Sequence, residues 1–312
     1  MTAVIPPRIE RGQTLGVCAP AGPVNPARLN VGLARLGDAF RIELAPTLLA
    51  PRPEGVPSYL SASDDQRADE LMWMLKNPDI RGIVLARGGY GLMRILDRLD
   101  PDVLRADPKP IVGFSDATAL LAWAYASAGV RGIHGPMIVQ LGDLPEAHVA
   151  HLIAMLTNVR PAGLRPWELT AHGTGVHEGP LFSANLTLAS MLVGTPWALP
   201  LAGAVLALEE VGEKPYEIDR YLTQLRLTGA LRGLSAAVLG ELTRCTDPNP
   251  PAGGLDPNSA ARDVVIERLA GIPLAIGAPI GHGNVNEAVP FGARCVLDLD
   301  RKTFAITEAA VA

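Results

Sequence analysis

Short apolar runs alternate with longer amphipathic stretches along the first half of the chain. The apolar runs are Thr14–Ala19, Arg41–Leu44, Arg81–Ala86 and Lys109–Phe114, and each predicts a buried strand. A helical stretch at Pro26–Ala39 follows the first run, and a capping-box sequence at Ser63–Gln66 predicts a helix that continues to Met74. Strands that alternate with helices are typical of a parallel sheet covered on both faces. We therefore predict an N-terminal α/β domain over residues 1–160.

The pattern changes between about Asn158 and Gly179, where turn-forming residues replace periodic apolar ones. We predict an inter-domain linker at 161–180, with Trp167 as an isolated aromatic residue within it. Further strands are predicted at Ala204–Leu208, Ala236–Leu239 and Leu274–Ile276, followed by a hairpin of Cys295–Leu299 and Thr303–Thr307. These elements predict a C-terminal mixed α/β domain over residues 181–312, with an irregular loop at 246–254.

Composition narrows the class of protein. The 312 residues are 48% hydrophobic and 4% aromatic with a net charge of −5, and no basic run is present, which argues against nucleic acid or an anionic membrane as a partner. We expect neither a signal peptide nor a membrane span. The cysteines Cys18, Cys245 and Cys295 are far apart and match no metal-ligand spacing, so we expect reduced thiols, no metal and no cofactor.

The most informative motif is Gly113-Phe114-Ser115-Asp116-Ala117. Ser115 stands where an apolar strand ends and an alanine-rich helical stretch begins, with small residues two positions before and after it. This is the pattern of a nucleophile elbow, in which a sharp turn exposes the hydroxyl beside helix N-terminal amides. A serine that caps an ordinary helix has the same local sequence, so both interpretations stay open at this point.

Three other features bear on that choice. The glycine-rich segment Arg87–Gly91 follows a predicted strand and offers backbone N–H groups, although plain turns look similar. Glu209 and Glu210 end a strand, where α/β folds place their sites and where solvated glutamates are also common. His282, between glycines, is a candidate general base, and His134 is its rival; a single histidine is more often structural.

Taken together, these motifs resemble a known family. In chain order they are Arg87–Gly91, Gly113–Thr118, Leu208–Tyr216 and Gly281-His282. Their order, together with the segments Val17–Gly22 and Asp64–Leu71, is similar to that of the LD-carboxypeptidase family, which holds muramoyltetrapeptide carboxypeptidases and microcin-immunity peptidases. The resemblance covers nearly the whole chain.

The resemblance implies a Ser-Glu-His triad. Ser115 would be the nucleophile, His282 the general base, and Glu209 the residue that orients the base. The oxyanion donors would be the backbone N–H groups of Gly89 and Asp116.

Substrate contacts are implied at Gly88, Tyr90, Trp167 and Asn185. The sequence departs from the family at one of these turns, because Ser183-Ala184 stands before Asn185 where many members carry two glycines. This difference puts in doubt a substrate contact made by that turn, and it does not affect the triad.

The family also implies a fold and an activity. We expect a flavodoxin-like parallel sheet in the first domain, an active site in the inter-domain cleft, and a cytoplasmic homodimer. The implied reaction releases terminal D-alanine from murein tetrapeptides during cell-wall recycling. An immunity-type peptidase acting on peptidyl-nucleotide antibiotics is one alternative, and a non-catalytic protein that binds a small anion is another.

Overall fold

The structure, a computed structural model, describes residues 3–248 and 258–312. It divides into two compact units. Among the described residues, unit 1 comprises the chain up to Arg160 together with Glu287–Phe291 and Ala309–Ala312, and unit 2 comprises Pro161–Asn286 and Gly292–Glu308. Unit 1 therefore contains two short C-terminal segments in addition to the N-terminal half of the chain.

The secondary structure elements are numbered in chain order. The strands are β1 Thr14–Cys18, β2 Arg41–Leu44, β3 Ile80–Leu85, β4 Ile111–Gly113, β5 Gly132–His134, β6 Gly163–Arg165, β7 Thr170–His172, β8 Val176–Asn185, β9 Val205–Val211, β10 Ala236–Thr243, β11 Leu274–Ile276, β12 Val289–Phe291, β13 Arg294–Asp298 and β14 Thr303–Ile306. The α-helices are α1 Pro26–Leu36, α2 Pro46–Leu49, α3 Asp64–Lys76, α4 Pro101–Ala106, α5 Thr118–Trp123, α6 Ile138–Leu141, α7 Glu146–Thr157, α8 Leu186–Met191, α9 Pro215–Leu227 and α10 Ser259–Arg268. Short 3₁₀ turns occupy Gly37–Ala39, Leu92–Arg94, Leu96–Arg98 and Ser115–Ala117, and a π-helical turn occupies Ala124–Ala128.

Unit 1 is built on a sheet of strand order β12-β5-β4-β3-β1-β2. Strands β1 to β5 are mutually parallel, and β12 is antiparallel to β5. The parallel strands follow the order 2-1-3-4-5 of flavodoxin-like folds, which confirms the predicted fold of this half. The capping box that begins α3 is also confirmed, because Ser63 accepts from the Gln66 N–H and the Gln66 side chain pairs with the Ser63 backbone.

Unit 2 is built on a mixed sheet of order β6-β14-β13-β8-β9-β10-β11-β7. Strands β8, β9, β10 and β11 form a parallel centre, and the strands on either side of it are antiparallel. This arrangement confirms the mixed α/β class predicted for the second half. Its central strands carry the long apolar runs because both of their faces are buried.

The segment 161–180, predicted as a linker, is structured. It contains β6, β7 and the first half of β8; β6 pairs with β14, and β7 pairs with β11. These pairings with distant strands order a segment whose own sequence lacks apolar periodicity. Of the predicted irregular loop at 246–254, residues 249–254 lie outside the described part of the chain.

Candidate active site

Ser115 stands on a sharp turn at the carboxyl end of β4. Its φ is +61°, a left-handed conformation that non-glycine residues adopt only at a cost. A Cβ at Gly113 would come within 2.6 Å of the Ala117 Cβ, so the turn requires small residues two positions before and after the serine. Phe114, and not Ser115, occupies the N-cap position of the following 3₁₀ turn. The geometry is therefore that of a nucleophile elbow and differs from that of a capping serine.

The glycine-rich loop after β3 passes directly beside the serine. A Cβ at Gly88 would lie 3.2 Å from the Ser115 Cβ and 3.4 Å from its Oγ, so a side chain there would crowd the hydroxyl. Gly89 has a φ of +108°, which favours glycine. The loop is held in turn by a hydrogen bond of 3.0 Å from the Gly22 N–H to the Gly88 carbonyl. The close approach puts backbone of this loop within reach of the Ser115 oxygen.

Two buried charged residues fix the end of this loop. The Asp116 carboxylate accepts from the Leu92 N–H at 2.9 Å, and the Arg67 guanidinium donates to the Gly91 carbonyl at 2.9 Å. Burial raises the pKa of Asp116 to about 6, against the hydrogen bond from Leu92 and the positive charge of Arg67, which lower it. Arg67 was not predicted as a site residue; the only signal for it is an arginine among the buried positions of α3.

His282 and Glu209 form a hydrogen-bonded pair in unit 2. The Nδ1 atom of His282 lies 2.6 Å from Oε2 of Glu209. The carboxylate is fully buried at the end of β9, whereas the imidazole, in the loop after β11, keeps 19% of its side-chain surface exposed. Among the described residues, Glu209 Oε1 has no hydrogen-bond partner, so the carboxylate serves the imidazole. A buried carboxylate on Nδ1 leaves Nε2 to act on a substrate or a nucleophile.

Glu210 points to the other side of the strand and has a different task. Its Oε1 accepts from Asn185 Nδ2 and the Val211 N–H, both at 2.8 Å. Its Oε2 accepts from the N–H and the hydroxyl of Thr187 at 2.8 and 2.7 Å. Burial raises its pKa above the ordinary glutamate value. These contacts fix the start of α8. The two adjacent glutamates therefore differ, since Glu209 binds an imidazole and Glu210 stabilises the start of a helix.

A third glutamate near His282, Glu241, was not predicted as a site residue. It lies on β10, the parallel neighbour of β9, and its Oε2 accepts from the Gly283 N–H at 2.6 Å. Burial is the main cause that raises its pKa, and the negative charge of Glu209 adds to the effect. The signal in the sequence is an acidic residue two positions after the apolar run Ala236–Leu239.

Two of the residues predicted to contact substrate, Trp167 and Asn185, make contacts within unit 2. Trp167 is 7% exposed and stacks on Phe304 with ring centroids 4.5 Å apart and planes 8° apart. The Asn185 amide donates to Glu210 and accepts from the Leu188 N–H at 3.2 Å as the N-cap of α8. Substrate contacts at Trp167 and Asn185 stay predictions, and the structure adds that packing and helix capping involve these two side chains.

The remaining candidates differ in exposure. Tyr90 is 47% exposed in the loop beside Ser115, with its ring 5.8 Å from that of Tyr59. His134, the rival base, lies in β5 with no exposed surface, and its ring meets Phe114 edge-on at 5.9 Å. His282 has a carboxylate partner at Nδ1, which is typical of a general base.

The described residues contain no group of three or more histidine, cysteine or acidic side chains arranged to hold a metal ion. All three cysteines are buried and free, and burial raises the pKa of Cys245 and of Cys295 to about 12. In the described parts of the chain, no helix has the length and apolar character needed to cross a membrane.

The sequence of this chain is similar to those of several curated proteins. The curated relatives include the murein tetrapeptide carboxypeptidase of Pseudomonas aeruginosa, 34% identical over 78% of this chain and 80% of its own length. A probable murein peptide carboxypeptidase of Bacillus subtilis is 31% identical over 98% of this chain and 95% of its own. The microcin C7 self-immunity protein MccF of Escherichia coli is 29% identical over 80% of each chain.

Solved structures share the fold over nearly the full length. A muramoyltetrapeptide carboxypeptidase from Oxalobacter formigenes matches with a TM-score of 0.77 at 26% identity, covering 95% of this chain and 99% of that one. MccF in complex with glutamyl sulfamoyl guanosine matches with a TM-score of 0.85 at 24% identity, covering 99% of both chains. Residues 15–135 match the LD-carboxypeptidase N-terminal domain, and residues 178–297 match the LD-carboxypeptidase C-terminal domain. The chain belongs to the LD-carboxypeptidase family.

Proposed function

We propose that this protein is a serine-type LD-carboxypeptidase that releases terminal D-alanine from murein tetrapeptides. The observation that carries the proposal is the 2.6 Å contact between His282 Nδ1 and the buried Glu209 carboxylate, since it supplies a general base in one tautomer. The strained turn at Ser115 supports a nucleophile to match it. The names of the Pseudomonas and Bacillus relatives support the substrate class.

The proposed reaction begins at Ser115. His282 Nε2 removes the hydroxyl proton as the oxygen attacks the carbonyl carbon of the bond before the terminal D-alanine. Glu209 stabilises the imidazolium that forms and keeps the ring in its orientation. His282 then gives the proton to the departing amine of D-alanine. Water, activated by the same imidazole, hydrolyses the acyl-enzyme and restores the serine.

Backbone amides are proposed to hold the oxyanion. The N–H groups of Gly89 and Asp116 belong to the loop and to the turn that meet at Ser115. Each preorganised donor typically contributes about 3–4 kcal/mol of barrier reduction. The chemistry needs no metal ion at any step.

The test is release of D-alanine from a purified murein tetrapeptide, quantified with D-amino acid oxidase. Wild-type protein should release one equivalent of D-alanine and leave a tripeptide. Ser115→Ala and His282→Ala should each lose several orders of magnitude in turnover, while Ser127→Ala, a serine change elsewhere in unit 1, should not. A wild-type protein that leaves the tetrapeptide intact, or a Ser115→Ala variant that still cleaves it, would refute the proposal.

Similarity to MccF favours a second candidate, hydrolysis of peptidyl-nucleotides. Such a substrate requires an aromatic surface for its base, and Tyr90 offers an exposed ring whereas Trp167 does not. Parallel digestion of the murein tetrapeptide and an aminoacyl sulfamoyl adenosine separates the two substrates by their kcat/KM. The third alternative, a non-catalytic anion-binding protein, is tested by labelling Ser115 with a serine-directed phosphonate, since only an activated serine reacts.

The active site in the inter-domain cleft, the cytoplasmic location and the homodimer follow from the family resemblance and are part of this proposal. Labelling of Ser115 that depends on His282 tests whether the two residues share one site, and the mass of the purified protein in solution tests the homodimer.

A further inference from the structure

The turn that carries His282 is held from two sides by carboxylates on adjacent strands. Glu209, on β9, binds the imidazole itself at 2.6 Å. Glu241, on β10, binds the backbone one residue later, where its Oε2 accepts from the Gly283 N–H at 2.6 Å. A hydrogen bond from an N–H to an ionised carboxylate is about twice as strong as one between neutral groups. Ring and backbone of the base are thus fixed by different residues.

The glycines on both sides of His282 bring the backbone of the turn close to Glu241. Gly281 has a φ of +138°, and a Cβ there would lie 3.0 Å from the Glu241 Cβ. A Cβ at Gly283 would overlap the Glu241 carboxylate. The turn therefore packs its bare backbone directly on the Glu241 side chain. Glycine loses more conformational freedom on ordering than other residues, so a turn of this composition needs an external partner to hold one conformation.

We propose that Glu241 is a positioning residue for the general base: its carboxylate holds the Gly281–Gly283 turn so that the His282 imidazole is presented in one orientation. The inference rests on the proposed function for its catalytic consequence. A displacement of about 1 Å at a catalytic group can cost about 100-fold in rate, so a contact made only to backbone has a measurable effect on kcat. Glu241 touches no reacting atom and takes no proton in this scheme.

The test compares Glu241→Ala, which removes the acceptor, with Glu241→Gln, which keeps a neutral one. We expect Glu241→Ala to lower kcat about 100-fold with little change in KM. Glu241→Gln should stay within about tenfold of wild type, since a neutral acceptor forms a weaker bond of the same geometry. Glu178→Gln, an exposed carboxylate on β8 of the same sheet, is the control and should leave kcat unchanged.

Gly283→Ala tests the same contact from the other side, because its methyl group would displace the Glu241 carboxylate. It should lower kcat as Glu241→Ala does, and it decides the question if Glu241→Ala does not fold. A Glu241→Ala variant that folds and keeps kcat within twofold of wild type, or one that changes KM alone, would overturn the proposal.

A measurement without substrate separates this inference from the proposed function. In ¹⁵N spectra, Glu241→Ala should move the Gly283 amide signal upfield and change the His282 ring signals, whereas Glu178→Gln should do neither. If wild-type protein cleaves no tetrapeptide, the proposed function fails and the ring signals alone judge the role of Glu241. If the His282 ring signals are unchanged in Glu241→Ala, the positioning role is refuted whatever the activity.

Discussion

The adjacent glutamates on β9 should have different roles: we expect Glu209 to support activity and Glu210 to support stability. Glu209→Gln keeps the shape of the side chain and removes its charge. An amide beside His282 Nδ1 no longer selects the required tautomer, and the equivalent Asp→Asn change in trypsin-type triads costs about 10⁴-fold in turnover. That factor corresponds to about 5 kcal/mol of transition-state stabilisation. We expect a loss of this order in kcat/KM.

Folding should not suffer from that change. Glu209 has no exposed surface, and its second oxygen has no hydrogen-bond partner among the described residues. Burying a charge is costly, and an amide of the same shape relieves that cost. The free energy of unfolding of Glu209→Gln should therefore equal or exceed that of wild type.

Glu210→Gln should behave in the opposite way. Its two oxygens accept hydrogen bonds from Asn185, Val211 and both polar groups of Thr187. A glutamine keeps one acceptor oxygen and turns an NH₂ group toward the donors on the other side. Two donors left without an acceptor cost about 2–4 kcal/mol together. We expect this loss in unfolding free energy, with kcat/KM retained at temperatures where the variant is folded.

The assay pairs chemical denaturation with D-alanine release for both variants and wild type. The expected result is a crossed pattern, with Glu209→Gln inactive and stable and Glu210→Gln active and destabilised. An inactive Glu210→Gln beside an active Glu209→Gln would show that the orienting residue is misassigned. Equal loss of activity and stability in both would refute the division of tasks along this strand.

Three further predictions follow from the structure. Because burial raises the pKa of Asp116 from 3.8 to about 6, wild type should lose stability as pH rises from about 4 to about 6. Asp116→Asn should not show this pH-dependent loss, and its unfolding free energy should exceed that of wild type by up to about 3 kcal/mol at pH 7. Denaturation of both proteins across this pH range measures the difference. Parallel plots of stability against pH for the two proteins would contradict the prediction. Lys109→Met should lower the unfolding free energy by about 2–4 kcal/mol without changing kcat, because the buried ammonium donates to the carbonyls of Met74 and Leu75 in α3 and of Asn77 directly after it. A denaturation curve identical to that of wild type would contradict this prediction. Activity should survive exhaustive chelation, and loss in EDTA restored by zinc would replace the serine mechanism with metal-assisted hydrolysis.

Much of the fold could be predicted because its central strands are continuous apolar runs. β2 and β11 have the predicted bounds, and β1, β3 and β4 differ from prediction by one to three residues at their ends. The short edge strands β6 and β7 could not be found, because three residues carry no periodicity and their pairing partners lie more than 100 residues away.

The site divides in the same way. Ser115, Glu209 and His282 stand in local motifs, and motifs are readable in sequence. The stacking of Trp167 on Phe304 depends on a residue 137 positions later, so the sequence could not show that this ring is buried. The contact of Glu241 could not be predicted for a related reason. Its partner is the backbone N–H of Gly283, and a backbone group leaves no pattern in the sequence.

Both groups proposed to react are held by residues that supply no reacting atom. In unit 1, Arg67 holds the loop beside Ser115 through the Gly91 carbonyl. In unit 2, Glu241 holds the turn at His282 through a backbone N–H. Each contact is a charge-assisted hydrogen bond between a buried or half-buried side chain and the backbone of a glycine, which can approach closely because it has no Cβ. Substitutions at Arg67 and Glu241 should therefore lower kcat, although neither side chain supplies a reacting atom.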